Sequence, residues 1–114
     1  MIEQKISQLL NTPETFIGEA PAGKDNCQWI RAGAGSTKVH FAKGNYDKPS
    51  FSIYVRGVEN EETCERTNLL FNRIRNYTDA GCEIIATRLP QFVGKDDKHR
   101  SVYVFQIEYQ SGRY

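Results

Sequence analysis

Residues 82–110 read CEIIATRLPQFVGKDDKHRSVYVFQIEYQ, two β-rich stretches joined by the polar link GKDDKHR. In the second stretch Tyr103, Phe105, Ile107 and Tyr109 alternate with Val102, Val104, Gln106 and Glu108. A period of two is the signature of a strand with one face turned to a core. CEIIATRL is read as a second strand, so the pair is expected to lie adjacent and antiparallel, with the link turning the chain at one end of a sheet. Gly94 takes turn angles without steric cost, Asp96 caps a turn through its carboxylate, and Lys98, His99 and Arg100 keep the tip soluble. A reactive centre in the link is the weaker reading. Asp96 and Asp97 are adjacent, so on extended chain they point apart, whereas carboxylates that act as a pair converge on one bond.

Upstream, NEETCERTNLLFNRI carries Thr67, Leu70, Phe71, Ile74 and, just beyond it, Tyr77 as one apolar stripe. This predicts the main helix, capped by Asn60, with Glu61 and Glu62 at its positive end and a terminus near Ala80 and Gly81. Glu62 and Arg66 stand at i, i+4 spacing, and Arg66, Arg73 and Arg75 read as a solvated face. Before the helix, PSFSIYVRG places Phe51, Ile53 and Val55 on one strand face and Ser50, Ser52, Tyr54 and Arg56 on the other. CQWIRAGAG alternates in the same way, with Cys27, Trp29 and Arg31 opposite Gln28 and Ile30. At the start, Ile2, Ile6, Leu9 and Leu10 form the stripe of a short helix that Asn11, Thr12 and Pro13 end, and FIGEAPAGK reads as a short extended piece followed by a loop. The whole is an α+β fold with a mainly antiparallel, four- to five-stranded sheet. Two helices pack on one face, in the order α-β-β-β-α-β-β, within a single domain over residues 1–114 that ends in a frayed SGRY.

Composition narrows the function. The chain has 114 residues, enough for one core, and a formal net charge of +1, far from the basic excess of sequence-independent DNA binders. No apolar run approaches the ~20 residues of a membrane helix, and MIEQKISQLL is too polar for a signal peptide, so a soluble protein made in the cytosol, with no membrane partner, is expected. Cys27, Cys64 and Cys82 are odd in number and widely spaced, which fits reduced, packed thiols.

Motifs for catalysis are weak throughout. GEAPAGKD at 18–25 nearly spells a phosphate-binding loop, but Asp25 replaces the hydroxyl residue and a strand follows where a helix is needed. GAG at 33–35 lacks the third glycine of a dinucleotide fingerprint and reads as a turn. His40 and His99 have no partner at metal-ligand spacing. No catalytic residue, cofactor or metal site is expected, and a small hydrolase is the weakest option. Lys38, His40, Phe41, Lys43, Tyr46 and Lys48 mix bases with aromatics, so a nucleic-acid-binding module using residues 38–48 is the alternative to a solvated arm.

The text as a whole resembles the minor capsid and tail-terminator proteins of long-tailed bacteriophages and prophages. The resemblance is carried by KDNCQWIRAGAGS, by PSFSIYVRG leading into the NEETCERTNLLFNRI helix, and by RLPQFVGKDDKHRSVYVFQIEYQ. In that family a leading helix precedes an Asp-Asn-strand-Gly segment, a strand ends in Val-Arg, and a P-x-x-x-G-x-D-x-x-x-R pattern opens the last strand. Asp25, Asn26, Gly35, Pro49, Val55, Arg56, Pro90, Gly94, Asp96 and Arg100 occupy those places, and residues 37–46 match no part of the layout.

The resemblance implies a structural, non-enzymatic virion protein, made in the bacterial host cytoplasm and placed at the tail or head–tail junction. It implies a homo-oligomer, a ring of usually six copies, that caps the tail tube protein and meets the head–tail connector protein while DNA at most passes through. The expected assembly contacts are Lys38, His40, Lys43, Tyr46 and Lys48 in one polar segment and Lys95, Asp96, Asp97, Lys98, His99 and Arg100 in the other, both expected to be mobile in the monomer.

Overall fold

The computed structural model describes residues 2–33, 49–79 and 82–111. Helix α1 (Ile2–Leu10) opens the chain and ends at Asn11, whose φ of 48° turns the backbone out of the helix. Ile6 and Leu10 are buried and Ile2 and Leu9 pack beside them, as the apolar stripe requires. Strands β1 (Thr15–Ile17), β2 (Cys27–Ala32) and β3 (Ser50–Gly57) come next, followed by helix α2 (Asn60–Ile74). The chain closes with β4 (Thr78–Asp79), β5 (Cys82–Lys95) and β6 (Ser101–Ser111).

The strands form one sheet in the order β1-β2-β3-β6-β5-β4. Every neighbouring pair is antiparallel except β1 and β2, which run parallel with Thr15 opposite Gln28 and Ile17 opposite Ile30. The fold is therefore α+β, with five strands of three or more residues and the two-residue β4 as an addition. The expected hairpin is present, and β5 runs on to Lys95 rather than stopping at Leu89.

Alternation is obeyed along the central strands. Ile53 pairs with Phe105 and Phe51 with Ile107, and these side chains share one buried cluster with Ile30, Ile84, Ile6, Leu10, Leu70, Phe71 and Ile74. Both helices thus cover the same face of the sheet. Phe71 meets Phe105 edge-on at 5.3 Å between centroids, a favoured aromatic geometry. On the opposite face Trp29 stacks on Tyr54 at 5.2 Å, with the Arg56 guanidinium 5.4 Å from the Trp29 ring.

Two expectations about α2 need correction. The helix stops at Ile74: Arg75 is already extended, and Asn76 has a φ of 60°. Asn60 does not cap it, because its side-chain oxygen accepts the Tyr103 hydroxyl at 2.8 Å while Glu59 takes the cap position. Tyr77 still packs against the core, from outside the helix.

Gly57, at the end of β3, sits tightly against Thr63 of α2. A Cβ placed there would lie 2.1 Å from Thr63 Oγ1 and 3.0 Å from Asn26 Oδ1. Gly57→Ala is therefore expected to lower stability in urea unfolding by about 1–3 kcal/mol, the range for overpacking. Adding Thr63→Ala should recover part of the loss.

Candidate assembly site

β1 and β2 are parallel neighbours joined without a helix, so the segment between them, residues 18–26, must carry its polar backbone back along the sheet as a loop. Its carbonyls are met by arginines. Arg56 donates through Nη2 to Pro21 O at 2.8 Å and Lys24 O at 2.5 Å. Arg100 donates through Nη1 to Ala22 O and Lys24 O, each at 3.0 Å, and reaches Asp25 Oδ1 at 3.3 Å. The Cys27 thiol points to Lys24 O as well, at 3.9 Å. Asn26 Oδ1 accepts the Val58 N–H at 3.2 Å, tying the loop to the β3–α2 junction. A third guanidinium, that of Arg66 on α2, donates to the carbonyls of Cys27 and Arg56 where β2 and β3 pair.

This geometry decides the near-match to a phosphate-binding loop. Such a loop turns N–H groups toward an anion. Residues 21–24 instead turn carbonyl oxygens toward guanidinium groups, and the chain that follows is β2.

Residues that belong to separate motifs in the chain meet here. Asp25 and Asn26 lie in this loop, Arg56 and Arg100 reach into it, and Asp96 holds Arg100 from behind, all at one end of the sheet. Arg66 was read from sequence as part of a wet face. It is in fact half-buried, and its partners are backbone carbonyls on other elements. Arg73 is exposed, as a solvated face requires, and it also donates to Leu10 O, to Asn11 O at 3.2 Å and to Thr12 Oγ1 at 2.9 Å, which fastens α2 to the end of α1. Arg75 lies over the Phe71 ring at 5.4 Å. The only local signal for Arg66 was its place one residue before the buried Thr67, and a period of 3.6 does not report what a long side chain reaches.

The link between β5 and β6 is a built turn. Asp96 N–H donates to Arg100 O at 3.0 Å and His99 N–H to Asp96 O at 2.9 Å, with Gly94 at φ 143° and His99 at φ 62°. The Asp96 carboxylate caps it, Oδ1 accepting the N–H groups of Lys98 and Arg100 and Oδ2 the Nε of Arg100 at 2.9 Å. Lys95, Asp97, Lys98 and His99 are exposed and Asp96 half-buried. Arg100 does not belong to the soluble tip: it is only 4% exposed and turned into the loop. Lys38, His40, Lys43, Tyr46 and Lys48 lie outside the described residues.

Electrostatics match a framework rather than a reactive centre. Burial pushes the Cys27 thiol up, outweighing the nearby guanidinium groups of Arg56, Arg66 and Arg100, so it stays protonated near neutral pH. Desolvation works to raise the Asp96 carboxyl, but the hydrogen bonds from the Arg100 and Lys98 backbone and from the Arg100 side chain win, and it titrates below the usual carboxylate range. No cluster of three or more His, Cys, Asp or Glu among the described residues is arranged to hold a metal ion.

A family model described as bacteriophage tail terminator protein matches residues 5–111. No curated protein matches the chain.

Because the Asp96 pKa is lower in the folded chain than in the unfolded one, its contribution is present above the unfolded value and is lost as pH falls through the folded one. Urea midpoints measured from about pH 5 down to pH 2 should fall more gently for Asp96→Asn than for the wild type. At neutral pH the same variant should be less stable by about 1 kcal/mol, the difference between a charged and a neutral acceptor.

Proposed function

The chain belongs to the bacteriophage tail terminator protein family, whose members are structural parts of the phage tail, and we propose that it ends the tail tube as a ring. In this reading a single domain, 1–114, repeats around the tube axis, most simply six times. It stops further addition of tube subunits and offers its far side to the head–tail connector.

The observation that supports the proposal is where the turn at 95–100 lies relative to Gly33 and Ser50, the described residues on either side of 34–48. The turn at 95–100 lies at one end of the sheet, beside the start of β2 and the end of β3. The chain leaves β2 at Gly33 and rejoins the sheet at Pro49 and Ser50, at the other end, where Gly33 N–H bonds Ser50 O at 2.6 Å. The length of β3, about 23 Å, separates the two ends. A subunit that must bind a tube on one side and a connector on the other needs two unlike ends held apart by a stiff element, and β3 supplies it. Asp97, Lys98 and His99 serve one end, with Lys95 at its border on β5, and the segment holding Lys38, His40, Lys43, Tyr46 and Lys48 serves the other. The net charge of +1 suits a passage that DNA crosses without sticking.

Electron microscopy of tubes polymerised from the cognate tube protein tests this. With the chain present, tubes should carry a ring at one end and stop lengthening, and unaffected growth would sink the proposal. Asp97→Lys with Lys98→Glu should weaken capping or head joining while changing stability by less than about 0.5 kcal/mol, as exposed positions do. Deletion of residues 36–48 should impair the other step. If both variants cap and join normally, the contact residues lie elsewhere.

A further inference from the structure

The two edges of the sheet carry features that the arginine clasp and the turn do not use. From Ala86 to Lys95, β5 has only β6 beside it, because β4 pairs no further than Cys82 and Glu83. Along this edge Leu89, Phe92 and Val93 are 67%, 51% and 57% exposed. Phe92 leans on Tyr103 at 5.3 Å between centroids, on the face that carries the helices. Arg88 and Lys95 flank the apolar residues, both exposed and neither in an ion pair among the described residues.

At the opposite edge, β1 presents Ile17, 44% exposed, on the wall of a shallow cleft of about 370 Å³. Glu3, Glu19 and Arg31 line the same cleft, so two carboxylates stand there against one guanidinium. Neither Glu3 nor Glu19 has an ion pair among the described residues. One edge is thus apolar with a basic rim, the other apolar with an acidic rim. Four strand spacings, about 19 Å, keep them apart within one chain.

We propose that the β5 edge of one copy, Leu89 to Val93, seats in the β1 cleft of the next, with Arg88 and Lys95 facing Glu3 and Glu19. The inference rests on the ring reading above and names the surfaces that build the ring. Like edges would bring base to base or acid to acid, so the contact is head-to-tail, the arrangement that closes into a ring when the rotation per copy permits. It is made by side chains and not by adding strand to strand. Three register shifts and Pro90 distort β5, and β1 is only three residues long, both devices that block edge pairing.

The test uses Ile17→Asp and Phe92→Asp in the full chain, with circular dichroism to confirm folding, and Arg88→Glu as the second variant should Phe92→Asp not fold. Wild-type chain is expected to form rings on tail tubes, and each variant alone to lose them. An equimolar mixture of Ile17→Asp and Phe92→Asp should give a heterodimer by light scattering and stop there, since only one intact edge pair remains. Rings formed normally by both variants overturn the edge assignment and leave the ring reading standing. The same holds if rings persist but no longer bind the tube, because the edges then serve the tube protein. Wild-type chain that makes no ring on tubes sinks both readings.

Discussion

The structure turns on carbonyl oxygens of one loop held by guanidinium groups from two strand termini. Parallel strands are usually joined through a helix, which satisfies its own backbone. β1 and β2 are joined by residues 18–26 alone, and carbonyls of that loop take donors from elsewhere in the chain. Arg56, at the end of β3, and Arg100, just before β6, provide them, and both are buried. A buried guanidinium is costly unless its donors are used, and the carbonyls of this exposed loop take the Nη donors of Arg56 and Arg100. The need lies with the two arginines, and meeting it ties the loop to the end of the sheet.

The same lock positions what the chain shows to its partners. Arg100 faces inward and Asp96 caps the turn, so the exposed residues of 95–99 project from a fixed base. Arg66 and Arg73 do for α2 what Arg56 and Arg100 do for the loop, fastening one end to the β2–β3 pairing and the other to the end of α1. With the helices pinned over β3 and β6, the outer half of β5 keeps its helix-side face uncovered. A sheet with one built polar turn at its end and two unlike edges suits a part that acts by fitting between other parts.

Much of the fold was legible because periodicity is a local property. The alternation in SVYVFQIEYQ and PSFSIYVRG follows from the pleat, and the stripes of both helices from 3.6 residues per turn. The turn was legible for the same reason, since Asp96 caps groups only two and four residues away. Helix length was misjudged because Tyr77 continues the apolar pattern after Asn76 has broken the helix. The three register shifts that carry β5 to Lys95 were not visible, because a bulge depends on the partner strand.

By itself the sequence determined the α+β class, the core faces of the strands, the hairpin and the family motifs, all of which rest on neighbours within a few residues. Only the tertiary structure decided that β1 lies parallel to β2, and that Arg56 and Arg100 close on the loop that holds Asp25 and Asn26. It alone turned Arg66 from a wet residue into a pin, and gave the exposed Arg73 its hold on the end of α1. The reason is physical: a guanidinium at the end of a long flexible stem takes whichever carbonyl the fold brings within reach, and that choice is made across 30 to 80 positions of chain that no local pattern spans.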